Sequence, residues 1–282
     1  MKRLIFAALV PLLMAACQQN DASRDAREVV DVTFSVAGDF ELSTNPITRA
    51  LDADGKAMTD VWVFDYVDGA LAQQVHQQST DAAFGSPTLS LAVGTHTLYF
   101  VASRGTGASL DTDARTLSFT KVLDTFWAAR TLTVTGTTSA QSVALDRVAT
   151  KLRITFTDAI PEGAATFNVT PSTWYYGINY TTGEPATAIA SQPFTVSIPA
   201  SYIGLTGESV SIFGFSGSAD FTTDIAVDCK DADSHILGAA TVPSVAMKRN
   251  RISNLTGPLF TKSTTIGFSL NTDWLDDYEM TF

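Results

Sequence analysis

Short runs in which every second residue is apolar recur along most of this chain. Val30, Val32, Phe34 and Val36 alternate with Asp31, Thr33 and Ser35, and Leu89, Leu91 and Val93 repeat the rule. So do Leu132 and Val134, then Leu152, Ile154 and Phe156, then Phe194, Val196 and Ile198. Successive side chains of a strand point to opposite faces, so each run predicts a strand with one buried and one wet face. Turn residues punctuate the runs at Asp68-Gly69, Gly94, Gly136, Pro161-Glu162-Gly163, Thr182-Gly183-Glu184-Pro185 and Thr206-Gly207. The pattern predicts an all-β chain of antiparallel β-sandwich domains in tandem.

Two runs depart from alternation. Val61-Trp62-Val63-Phe64 and Leu98-Tyr99-Phe100-Val101 are apolar throughout, as central strands covered on both faces would be. One stretch, Thr120 to Ala129, spaces Val122, Leu123, Phe126 and Trp127 as a short helix would, and is predicted to plug a sandwich end. A boundary near Asp146 divides the chain into a sandwich over 29–146 and a second over 147–262. Residues 263–282 read as extra strand material, and 17–28 as a flexible spacer.

The start of the chain has a different character. Lys2 and Arg3 precede an apolar run from Leu4 to Met14, then Ala15-Ala16-Cys17 and the polar Gln18-Gln19-Asn20-Asp21. The run is too short to span a bilayer and contains Pro11, so 1–16 is predicted to be an export signal. Ala15-Ala16-Cys17 resembles the lipobox of bacterial lipoproteins, with Met14 where leucine is usual. That resemblance implies a palmitate-type acylated Cys17 as the mature N-terminus, and several acyl chains suffice for stable anchoring where one does not.

Composition narrows the function classes. Acidic residues outnumber basic ones by 29 to 18, for a net charge of −11, which argues against nucleic acid as a partner. Only Cys17 and Cys229 are cysteines, so a lipidated Cys17 leaves Cys229 as a small buried hydrophobe. His76, His96 and His235 have no metal-ligand spacing, and no nucleophile elbow, phosphate loop or dinucleotide fingerprint occurs. Asp52-Ala53-Asp54-Gly55 and the run Asp228 to Asp233 carry oxygen ligands but read as acidic turns, so no metal or cofactor is expected. Glu184, Asp220 and Asp224 are weighed as a source of a glycosidase carboxylate pair, and nothing near them beyond Trp174-Tyr175-Tyr176 suggests a sugar cleft. Trp174-Tyr175-Tyr176 is a candidate glycan-stacking platform, weighed against core packing. The reading is not an enzyme.

Several segments resemble the fimbrillin superfamily of type V fimbrial subunits and anchors. They are Ile47 to Leu51, Met58 to Gly69, Asp146 to Ile154, and Met247-Lys248-Arg249-Asn250 through Leu255-Thr256-Gly257-Pro258-Leu259-Phe260. The resemblance implies two transthyretin-like β-sandwiches, export as a lipoprotein to the outer membrane and cell surface, and assembly with other fimbrial subunits. A host surface protein or glycan is a further implied partner.

It also implies a protease cut between Arg49 and Ala50 that removes a leading strand, here the edge-like Val30, Val32, Phe34 and Val36. A tail from another subunit would fill the gap, with Ile266, Phe268 and Leu270, then Tyr278, Met280 and Phe282, as donor positions. Alternatives are an uncut anchor lipoprotein of the same family and a surface glycan-binding lipoprotein using Trp174, Tyr175 and Tyr176.

Overall fold

The computed structural model describes residues 28–38, 41–42, 57–261 and 267–271. Within them the chain is almost entirely strand, arranged as five sheets of three to five strands and one short pair. The first sheet places β1 (Val29–Ala37) between β6 (Thr88–Ala92) and β11 (Gln141–Ala144). The pair β2 (Glu41–Leu42) and β3 (Ala57–Met58) is parallel.

The second sheet runs β12 (Asp146–Arg147), β10 (Thr125–Val134), β7 (Gly94–Ser103), β4 (Asp60–Val67), β5 (Ala70–Gln78). The third runs β16 (Glu184–Ile189), β15 (Trp174–Asn179), β9 (Thr116–Lys121), β8 (Thr106–Asp111). The fourth runs β18 (Ser209–Phe215), β13 (Ala149–Phe156), β21 (Ile252–Gly257), β22 (Gly267–Asn271). The fifth runs β17 (Phe194–Ser197), β14 (Ala164–Pro171), β19 (Phe221–Asp231), β20 (Ile236–Met247). Most neighbours are antiparallel, but β1–β11 and β13–β21 are parallel, a departure from the purely antiparallel expectation.

Three apolar cores follow from strand alternation. On β4, Val61 and Val63 enter the core shared with Val32, Phe34, Leu89 and Leu91, while Trp62, Phe64 and Tyr66 enter another on the opposite face. That second core is closed by Leu117 and Phe119 of β9, Ile178 of β15 and Phe215 of β18. The unbroken apolar runs over 61–64 and 98–101 are therefore central strands covered on both sides, as their composition predicts. A third core, with Leu152, Ile154, Phe167, Trp174 and Met247, fills the space between the fourth and fifth sheets.

The helix expected over Thr120 to Ala129 does not form. β9 ends at Lys121 and β10 begins at Thr125, pairing with β7 over ten residues. The adjacent side chains explain why: Phe126 packs into the first core and Trp127 against the second, a division between faces that a strand achieves. The side-by-side apolar pair mimicked helical spacing because both faces of this strand are covered.

Two turns depend on glycine. Asp68 and Gly69 take φ of 51° and 79°, the doubly positive geometry that favours a tight hairpin between β4 and β5. Gly183 (φ 71°) lets the chain pass the Trp127 ring, where a Cβ would stand 2.7 Å away. The Trp127 indole N–H donates to Tyr180 O at 2.7 Å nearby.

Near position 146 the chain passes from β12, at the end of the second sheet, to β13 in the fourth, while the third sheet joins β8 and β9 from before this point to β15 and β16 from after it. Arg147 is buried and donates in a bidentate manner to Asp124, Nε to Oδ1 at 2.7 Å and Nη2 to Oδ2 at 3.1 Å. Its Nη1 also donates to Asn250 Oδ1 at 3.2 Å, and its guanidinium lies 4.6 Å from the Phe126 ring centroid. The segments around Asp146–Ile154 and Lys248–Asn250 thus meet at one buried cation. Removing one partner of such a pair would leave an uncompensated buried charge.

Candidate functional site

β1 follows directly from its sequence. Valine and phenylalanine at alternate positions favour a pleated, half-buried strand, and β1 presents that row to the first core. Val32 and Phe34 are 0% exposed and Val36 is 3% exposed, whereas Val30 is half-buried. Phe34 packs against Phe100 of β7 with ring centroids 5.3 Å apart.

Both flanks of β1 are hydrogen-bonded. Val29–Thr33 pairs with β6 in antiparallel register, from Val29 opposite Ala92 to Thr33 opposite Thr88. Beyond β6 the same flank continues, with Phe34 N donating to Pro87 O at 2.9 Å and Val36 N to Gly85 O at 3.0 Å. On the other flank Phe34–Ala37 pairs in parallel with Gln141–Ala144, and Leu145 N donates to Ala37 O at 2.8 Å. Side chains reinforce the β6 side: the Ser90 hydroxyl donates to Asp31 Oδ1 at 2.6 Å, and the Thr33 and Thr88 hydroxyls lie 2.8 Å apart.

The sequence suggested a sandwich edge for this strand; it is instead the middle strand of three. Alternation shows which face is buried but carries no information on lateral neighbours, which explains the difference. The core row is also three residues deep, since Val30 remains half-buried.

After β1 the chain is next described at Glu41–Leu42, which pairs in parallel with Ala57–Met58. Met58 is fully buried in the first core. Arg49 and Ala50 fall between these two short strands and lie outside the described residues, as do Cys17, Ile266, Tyr278, Met280 and Phe282.

Of the other expected donor positions, Phe268 and Leu270 belong to β22, opposite Leu255 and Ser253 of β21. Among the described strands β22 is the outer one of its sheet. The approach to it is held by one carboxylate. Asp158 accepts the backbone N–H groups of Leu259 (3.0 Å), Phe260 (2.7 Å) and Thr261 (2.8 Å), and the Thr261 hydroxyl at 3.3 Å. Desolvation pushes the Asp158 carboxyl up, but the N–H donors from Leu259, Thr261 and Phe260 together hold it below the usual aspartate range. Nothing in the sequence singled out Asp158, which looks like any acidic turn residue.

Within the aromatic triplet, Trp174 offers no surface for stacking. Trp174 is fully buried, donates its indole N–H to Phe213 O at 3.0 Å, and meets Phe194 edge-on at 6.1 Å. Tyr175 packs edge-on against Phe221, and Tyr175 and Tyr176 both lean on the second core. The three residues serve packing, the use weighed against glycan stacking.

The carboxylates considered for hydrolysis each have separate structural partners. Glu184 accepts from Arg249 at 3.2 Å and from Ser218 N, Asp220 pairs with Lys248 at 2.7 Å, and Asp224 accepts from Ser244 N at 2.8 Å. Among the described residues one trio brings ligand atoms together: Asp231, Asp233 and His235, on the β19–β20 turn. Asp231 Oδ1 already accepts from Asp233 N and His235 N, which holds its carboxyl below the usual range and makes the trio a turn motif. Cys229 is buried beside it in sequence, and burial, then the Asp228 charge, push its thiol up to about 11. Such a thiol is an inert core side chain at neutral pH.

Comparison with known proteins places this geometry. Residues 108–281, well over half of the chain, match DUF6562, a family of unknown function. The chain belongs to the DUF6562 family. No curated protein matches it. Among solved structures it is similar to a fimbrial assembly protein from Parabacteroides distasonis, with a TM-score of 0.52 at 13% identity, covering 91% of this chain and 100% of that one. A protein from Bacteroides thetaiotaomicron described as a candidate adhesin gives 0.51 at 9% identity, covering 88% and 98%. Another from that organism, described as a candidate polysaccharide-binding protein of the DUF1812 family, gives 0.52 at 10%, covering 88% and 98%. At such identities this DUF6562 chain shares a fold with these proteins, and the likeness extends through nearly the whole of each.

Proposed function

We propose that this DUF6562 protein is a structural and adhesive subunit of a cell-surface fimbrium, assembled by strand exchange rather than by catalysis. The observation that carries the reading is the seat of β1. Three core side chains, two flanking strands and a following segment that contains Arg49 make β1 a plug whose release would open a long slot.

The energetics favour refilling such a slot. Burying a large aliphatic or aromatic side chain contributes roughly 1.5–3 kcal/mol, so the loss of Val32, Phe34 and Val36 exposes a substantial apolar trough. Because β1 is a middle strand, its departure would also uncover two rows of backbone donors and acceptors, on β6 and on the 141–144 strand. An incoming extended segment gains main-chain hydrogen bonds on both sides, and alternate side chains set its register. The donor is the tail 263–282, whose first part, β22, is paired along one side with β21 in the described structure.

The likeness in fold to a fimbrial assembly protein and to a candidate adhesin supports this assignment, as does the fimbrillin-like order of sequence segments. Export as a lipoprotein acylated at Cys17, residence at the outer membrane and cleavage after Arg49 belong to the same proposal. An uncut, acylated anchor is its variant, and mass spectrometry of the mature N-terminus separates the two. Ala50 as first residue identifies a polymerising subunit, whereas acylated Cys17 alone identifies an anchor. For the subunit, limited Arg-specific proteolysis should produce an SDS-resistant ladder that disappears when 263–282 is deleted; a monomer that stays intact after the cut refutes exchange.

A further inference from the structure

The two walls beside β1 are propped by side chains of the sheet that faces them. Among the described strands β6 and β11 each pair with β1 alone, so their outer edges have no strand beside them. Polar side chains of the second sheet reach those edges. On the β6 side, Gln73 of β5 donates to Ser90 O at 2.8 Å, and His96 Nε2–H of β7 donates to Ala92 O at 2.8 Å. Further along that wall, where Gly85 O and Pro87 O accept from β1, Gln77 of β5 donates to Ala83 O at 3.0 Å and accepts from Gly85 N at 3.1 Å. On the other side, Arg130 of β10 donates to Ser142 O of β11 and, at 2.8 Å, to Gln141 Oε1.

The props share one geometry. Gln73, Asp65, Leu98 and Arg130 are successive neighbours across β5, β4, β7 and β10. Leu98, inside this row, belongs to the apolar core that receives β1, and the ends of the row are polar where the walls' outer edges lie. Asp65 anchors the β6 side: its Oδ1 lies 2.7 Å from His96 Nδ1, and its Oδ2 accepts from Gln73 at 3.4 Å. Asp65 is 0% exposed and His96 3%. Pulling the wall away would leave buried polar groups without partners, which opposes the movement. None of these hydrogen bonds includes an atom of β1.

We propose that Gln73, Gln77, His96 and Arg130, with Asp65 behind them, are positioning residues that keep the two walls in place when β1 leaves. An incoming segment then meets a formed gap instead of two loose strands, and less ordering opposes its entry. That benefit rests on the strand-exchange reading; the persistence of the walls does not.

Amide hydrogen exchange of the full, uncut chain tests persistence. The Gly85 N–H is bonded to Gln77 and not to β1, so it reports on the wall. Phe34→Ala, which loosens β1 from its core, should speed exchange along β1 by about tenfold or more while Gly85 changes by less than about twofold. Val32→Ala gives the same comparison if Phe34→Ala does not fold. Exchange at Gly85 that rises in step with β1 overturns the proposal. For the role in assembly, the Arg-cut protein freed of its β1 fragment is offered a labelled synthetic segment 28–38, the occupant seen in the structure. Gln73→Met/Arg130→Met keeps side-chain length and removes the donors, and should slow uptake about tenfold; returning a donor with Arg130→Lys should recover part of that loss. Equal uptake by wild type and variant overturns the positioning role. If the cut wild type releases no β1, strand exchange fails, and the Gly85 comparison still decides whether the walls stand without it.

Discussion

The first and last described strands of this chain are built on opposite principles. β1 lies between two partners and drives Val32, Phe34 and Val36 into the first core, whereas β22 lies at the outside of its sheet with β21 as its only strand neighbour among the described residues. A middle strand is costly to lose and leaves a shaped vacancy. An outer strand can peel away while the sheet beneath it stays closed. The contrast is what the proposed strand exchange would require, one strand leaving a shaped vacancy and the other free to detach.

The largest expected effect lies in the plug. Phe34→Ala should destabilise the protein by about 3–5 kcal/mol, the usual cost of emptying a buried aromatic site, measured by urea unfolding. Deleting residues 262–282 should cost far less, about 1–2 kcal/mol, because only one edge and its face are lost. If the deletion costs as much as Phe34→Ala, the contrast between the two strands is wrong.

Smaller still is the clamp before β22. Asp158→Asn should loosen residues 259–261 by about 1 kcal/mol, read as faster amide exchange there, since the carboxylate is partly solvated. The pH dependence has a fixed sign. The carboxyl is depressed in the fold, so its contribution is complete above the unfolded aspartate value of 3.8 and fades as pH falls through the lower folded value. Exchange at 259–261 should therefore stay flat at neutral and mildly acidic pH and accelerate relative to the core only in strong acid. The smallest effect is Val30→Ser, at the half-buried end of β1, which should change stability by about 0.5 kcal/mol or less.

Much of the fold was legible in the sequence. Alternation located β1, β6, β13 and β17, and the unbroken runs at 61–64 and 98–101 correctly signalled strands covered on both faces. The same logic misled at 120–129, because Phe126 and Trp127 serve two cores from one strand and so imitate a helical stripe. Lateral neighbours were invisible, which is why β1 read as an edge strand. The site was less legible than the fold. Trp174 has the composition of a ligand platform, but only three-dimensional packing reveals its burial. Asp158 escaped notice because it gathers residues distant in sequence, Leu259, Phe260 and Thr261.

Two basic residues in the segments around 146–154 and 247–260 act as internal fasteners. Arg147, from the segment that opens the second half, reaches Asp124 in the first half and Asn250 near the chain's end. Arg249 donates to Ser216 O and to the Gly183 carbonyl in the turn beside Trp127. These contacts tie residues far apart in sequence to one another, whereas the proposed exchange would be carried by β1 and the tail.

The most direct test of the account is native mass spectrometry of the full chain after limited Arg-specific proteolysis, with and without an excess of the synthetic segment 263–282. The account predicts that the fragment carrying β1 leaves and that one copy of the segment takes its place. Retention of the β1 fragment on every cut molecule, with no segment bound, would contradict it.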